Sequence, residues 1–156
     1  MALLKIRKKG DPVLRGRSRA VETITPRILT LLDDMRDTMR AAEGCGLAAP
    51  QVGILRRIVV IETEETGLIE LINPEIIYRE GEQLEAEGCL SIPGECGITR
   101  RPAKVKVRAL DRHGETKEYE GEGLLARAFC HETDHLNGKL YIDPDVLVKK
   151  IEDDEE

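Results

Sequence analysis

The stretch GLLARAFCHETDHLNG, residues 123–138, carries His131, Glu132, Asp134 and His135 within five positions. On a helix, residues four apart stack on one face about one turn from each other, so the two imidazoles can grip a single metal ion. Glu132 follows the first histidine directly, where a carboxylate can take a proton from water. A lone histidine on an apolar helix face is ordinarily a satisfied core residue. Two at this spacing, with a carboxylate beside them, need partners that a metal supplies. HExxH recurs by chance, so the reading requires a third ligand from elsewhere in the chain.

The elements that must position these groups are legible in outline. Leu124, Leu125, Ala128, Leu136 and both histidines recur at helical spacing, which turns that face inward; Gly123 and Asn137-Gly138 are start and stop signals. Thr25-Pro26 opens an earlier helix, with Ile28, Leu31, Leu32, Met35 and Met39 on one face, expected to run to about Glu43 and to stop at Gly44. GCGLAAPQVG, residues 44–53, permits close backbone approach, although taken alone it reads first as a helix cap and loop. Strands are expected at 58–61, 68–72 and 75–78, the last two separated by Asn73-Pro74. Residues 87–91, EGCLS, lead into a turn at Ile92-Pro93-Gly94, which leaves Cys89 free to bend toward a partner or simply to pack. Residues 104–110 alternate, and Asp111-Arg112-His113-Gly114 turns them back through 115–120, leaving His113 to solvent.

Composition narrows the class. At 156 residues the chain fits a single metallohydrolase domain over 1–147, followed by an acidic tail over 148–156 expected to be disordered by charge repulsion. Its hydrophobic fraction of 40% and charged fraction of 35% suit a globular protein, and no apolar run reaches the length of a membrane span. The start lacks a secretory pattern, so a cytoplasmic location is expected, without a membrane partner. Four scattered cysteines, Cys45, Cys89, Cys96 and Cys130, point to metal or free thiol rather than a disulfide scaffold. A net charge of -6 argues against a nucleic-acid substrate.

Taken together and in order, GCGLAAPQ (44–51), EGCLS (87–91) and HETDH (131–135) closely resemble the motifs of the peptide deformylases. GDPVLR near the start also looks like a feature of that family. The resemblance implies an α+β fold, antiparallel β-sheets packed around a central helix carrying HExxH. It implies that Cys89, His131 and His135 hold one divalent metal ion per chain, with water in the fourth position. Fe(II) is the ion expected in the cell, and Zn, Ni or Co are possible in a preparation. The implied reaction hydrolyses the N-formyl group from the initiator methionine of newly made polypeptides and releases formate. A metal-bound hydroxide attacks, Glu132 acts as general base and acid, and Gln51 with the Leu90 backbone N–H stabilises the oxyanion. N-formylmethionyl peptides and nascent chains are then the partners. Gly46 and Leu124 are expected to contact substrate, and Glu87 to pair with Arg101. Asp134 is a candidate to accept the outer N–H of His131, and reads equally as a helix-surface charge.

The chain departs from the family at Cys96, where many relatives have arginine, and at Cys45 and Cys130. The acidic end gives no support to the ribosome contact that some relatives make through a basic C-terminal helix. Two other readings stay open at this level: a zinc peptidase that cuts internal bonds, and a structural site closed by Cys89, Cys96, His131 and His135.

Overall fold

The computed structural model describes residues 2–151. Two helices and eight strands follow a short 3-10 turn at Pro12–Arg15, which Asp11 caps by accepting the Val13 N–H. Helix α1 spans Pro26–Ala41, and β1, β2 and β3 span Gly46–Ala48, Ile58–Thr63 and Gly67–Glu80. The hairpin of β4 (Gln83–Cys89) and β5 (Ile92–Arg101) comes next, then the hairpin of β6 (Lys104–Leu110) and β7 (Thr116–Glu122). Helix α2 (Gly123–Leu136) and β8 (Leu147–Ile151) complete the order. The strands form two antiparallel sheets, β1-β2-β3-β6-β7 and β4-β5-β8, so the fold is α+β.

Strand periodicity explains how the larger sheet holds both helices. Along β2, Val59 and Ile61 face one side, where Leu71, Val105 and Val107 meet Ala126 and Phe129 of α2. Ile58 and Val60 face the other, where Leu32, Met35 and Met39 of α1 pack. Because successive strand residues point to opposite faces, a continuous apolar run is what a strand buried on both sides requires. Helix α2 thereby has one side fixed against the larger sheet. Its other side is left toward the β4-β5 hairpin.

Three expectations are corrected. Asn73-Pro74 does not end a strand: β3 runs through it with a register shift between Ile72 and Glu75. Asn73 takes the left-handed conformation (φ 55), and its side-chain amide both accepts from the Val21 N–H and donates to the Val21 carbonyl, which pins the bulge. Helix α1 stops at Ala41, short of Glu43, and the left-handed residue is Glu43 (φ 58). The Glu43 N–H bonds the Arg40 carbonyl and the Gly44 N–H the Met39 carbonyl, the pattern that closes a helix end whatever residue turns it. Finally, residues 148–151 of the expected tail belong to β8, which pairs with β5 at Cys96, Gly97 and Ile98. Gly97 explains the fit, since a Cβ there would stand 2.5 Å from Leu147 Cδ1. The rest of that tail, 152–156, lies outside the described residues.

Candidate metal centre

Cys89 is the last residue of β4, and the two-residue turn Leu90-Ser91 returns the chain to β5. The ladder shifts register between Glu87 and Cys89, a local bend that re-aims side chains near the turn. Across from it, α2 presents His131 and His135. The Cys89 Sγ lies 3.4 Å from His135 Nε2, and His135 Nε2 lies 3.3 Å from His131 Nε2. All three donor atoms fall within 4.8 Å of one another. Tetrahedral coordination with ordinary metal–nitrogen and metal–sulfur lengths puts neighbouring donors about 3.3–3.6 Å apart, so the group fits a divalent ion with one position open. Cys96 is not part of it, which removes the closed four-ligand alternative.

Behind His131 stands a buried ionic group. The Glu87 carboxylate receives His131 Nδ1 at 2.5 Å and Arg101 at 2.6 Å, and Thr99 donates its hydroxyl at 2.8 Å. Arg101, only 4% exposed, donates with its other arm to Asp134 at 2.7 Å. Burial pushes the Glu87 carboxyl up, but donation from His131 and Arg101 outweighs it and holds the group at about 2. The Glu87–Arg101 pair is therefore present and buried. Asp134 holds Arg101 rather than His131, because Glu87 already occupies the outer nitrogen of that ring, as metal-bound histidines require of some acceptor.

On the cavity side the carboxylate is of the opposite kind. Glu132 is 5% exposed, its Oε1 has no hydrogen-bond partner among the described residues, and burial raises its carboxyl to about 7. Oε2 lies 4.0 Å from His131 Nε2. A Cβ on Gly46 would stand 2.6 Å from the same oxygen. Gly46 thus makes room for Glu132, a different reason from the substrate approach expected of it, although it lines the cavity as well.

Gln51, in the 3-10 turn Ala49–Val52, is 1% exposed and held at both ends of its amide. Its Oε1 accepts from the Ala48 N–H at 2.9 Å, while its Nε2 donates to Ser91 Oγ at 3.1 Å and sits 3.6 Å from Cys89 Sγ. Gln51, Cys89, His131 and Glu132 open on a cavity of about 310 Å³, which Leu90 and Leu124 also line. Leu124 was expected on the buried face of its helix. It is 52% exposed instead, because Ala126 and Phe129 take the positions against the sheet.

Every site residue expected from the sequence is in this assembly, at the cavity, in the three-donor group or in the ionic group behind His131. Sequence reasoning missed three others. Ser91 lay inside a quoted motif without a role, yet it fixes Gln51. Tyr141 stacks on His131 with ring centroids 6.2 Å apart, and nothing local marked it. Arg127 lines the cavity, and its place four residues before His131 on the same helix face could have revealed it.

A family model described as polypeptide deformylase matches residues 3–151. A peptide deformylase of Thermoanaerobacter pseudethanolicus is 61% identical over 143 residues, covering 92% of this chain and 89% of that one. The crystal structure of a peptide deformylase from Legionella pneumophila aligns with a TM-score of 0.88 at 45% identity, over 92% of this chain and 88% of that one. A peptide deformylase from Synechococcus elongatus, solved in complex with actinonin, aligns with a TM-score of 0.87 at 42% identity, over 90% and 77% of the two chains.

Proposed function

The chain belongs to the polypeptide deformylase family, and from that membership we propose how its side chains hydrolyse the N-formyl group of an initiator methionine. It is a hydrolase: water and a formylated amino terminus go in, formate and a free amine come out. The observation that carries the assignment to this site is that the Cys89, His131 and His135 donor group adjoins a cavity lined by Cys89, His131, Glu132 and Gln51.

One thiolate and two imidazoles would hold the ion that the family depends on. When bound, a divalent ion supplies Lewis acidity, which acidifies water and polarises a carbonyl oxygen. Glu87 fixes the ring of His131 through Nδ1 and leaves Nε2 to the centre. Glu132, buried beside Gly46, takes the proton of the attacking water and passes it to the leaving nitrogen. The Gln51 amide is oriented before substrate arrives, since Ala48 and Ser91 fix its two ends. Its Nε2–H and the Leu90 backbone N–H donate to the oxyanion that forms on the formyl carbon, each worth about 2.7–4 kcal/mol. Leu124 and the rim at Gly44 receive the methionine side chain. We take Fe(II) as the ion in the cell, on the family resemblance; the same donors accept zinc, nickel or cobalt.

No helix among the described residues is long and apolar enough to cross a membrane. We place the enzyme in the cytoplasm, acting on formylated nascent chains. The test is formate release from N-formyl-Met-Ala-Ser by anaerobically prepared, Fe(II)-loaded protein, beside the unformylated peptide. Formate from the first without cleavage of the second is the expected result. Cleavage of the unformylated peptide would indicate a general peptidase.

A further inference from the structure

One cation of the cavity has no work in the chemistry above. Arg127 lies on α2 one turn before His131, on the face that also carries Leu124 and Ala128, and with them it lines the cavity. Its guanidinium is poorly provided for. Among the described residues its one hydrogen bond is a long 3.4 Å contact from Nη1 to the Ala86 carbonyl, and its buried Nε has no partner there. No carboxylate among the described residues forms an ion pair with it. Arg101, behind His131, differs: it is spent on Glu87 and Asp134. The two carboxylates that line the cavity make no ion pair with Arg127. Glu87 is held by Arg101 and His131, and Glu132 lies against Gly46.

Geometry says which part of a substrate Arg127 meets. Ala86, its carbonyl partner, precedes Cys89 by three residues on β4, the edge strand of its sheet. Three strand residues span about 10 Å. Along the helix, Arg127 precedes His131 by four residues, about 6 Å. A formyl carbon at the centre puts the α-carbon of the second residue of an extended peptide about 6 Å away and that of the third about 9–10 Å away. Arg127 is therefore within reach of the side chains that follow the formylmethionine, and a planar cation without a counter-charge among the described residues selects a carboxylate there.

We propose that Arg127 is a specificity-determining residue, which favours formylated chains with aspartate or glutamate at the second or third position. The proposal rests on the deformylase reading of the cavity. It concerns the residues that follow the methionine, not the metal.

The experiment measures kcat/KM for four Fe(II)-loaded proteins, wild type, Arg127→Gln, Arg127→Lys and Arg127→Glu, at low salt. The substrates are N-formyl-Met-Ala-Ser and its variants with glutamate or lysine at position two or three. In wild type the glutamate peptide is favoured over the lysine peptide by about fivefold at the preferred position, chiefly through KM, and less so at high salt. Arg127→Gln brings the ratio close to one, Arg127→Lys retains part of it, and Arg127→Glu inverts it. A merely structural role would lower all substrates together and could not invert the order. Equal use of glutamate and lysine peptides by wild type, or a ratio unchanged in Arg127→Gln, overturns the proposal. If none of the peptides, N-formyl-Met-Ala-Ser included, releases formate, the deformylase reading fails and the proposal falls with it.

Discussion

Two buried glutamates flank His131, and they have opposite characters. Glu87, behind the ring, is surrounded by donors from His131, Arg101 and Thr99, and its carboxyl is held at about 2. Glu132, on the cavity side, has an unpartnered oxygen and is pushed up to about 7. Both are removed from water, which by itself disfavours charge. The difference lies in what replaces the water. Where the fold supplies three donors, the carboxylate becomes a fixed anion that orients an imidazole. Where it supplies none, the carboxylate keeps an affinity for a proton and can serve as a base. A structural and a chemical carboxylate can thus stand on either side of one ring.

The contrast can be broken in four ways. Glu132→Gln removes the base and keeps the shape; turnover should fall by about 10²- to 10⁴-fold while metal content, read by elemental analysis, stays at one ion per chain. Retained turnover would remove Glu132 from its role. Glu87→Gln should act on the opposite property. It leaves Arg101 buried without its main counter-charge, at a cost of about 3–5 kcal/mol in denaturant unfolding, and weakens metal affinity about 10- to 100-fold. Unchanged stability and affinity would mean that Glu87 is an incidental neighbour.

Gly46→Ala sharpens the comparison, because the new Cβ displaces only the Glu132 side. A shift of that carboxylate should lower kcat by about 10- to 100-fold with the metal retained, and a crystal structure of the variant should show Glu132 moved off its niche. Full activity would mean that the niche has slack. The smallest effect is expected from Cys96→Ser. Cys96 lies on β5 opposite Ile151, outside the ligand group, so metal content should not change. Loss of metal would revive the structural four-ligand site.

Much of the site was legible because its chemistry is written at short range. The i, i+4 histidines, the glutamate between them and the cysteine before a turn are local patterns, and the order of three motifs named the family. Helix starts at Thr25-Pro26 and the buried run at 58–61 were legible for the same reason. Misreadings arose where distant partners decide. Asn73-Pro74 carries the local signature of a break, yet hydrogen bonds to Val21 turn it into a bulge. Lys149 and Lys150 read as part of a charged tail, yet they alternate within a strand that Gly97 lets dock.

Residue types and spacings by themselves gave the two helical histidines, the glutamate beside them and the ordered motifs that point to the family, since those depend on which groups exist and on the pitch of one helix; Cys89 as the third donor came from the family resemblance. The tertiary structure decided the assignments that depend on who faces whom. It gave the outer nitrogen of His131 to Glu87 and left Arg101 to Asp134. It made Gly46 the space for a carboxylate, and it left Arg127 in the cavity without a counter-charge. Each of these depends on contacts between segments far apart in sequence, and the free energy of a buried charge is set by such neighbours rather than by the residue itself.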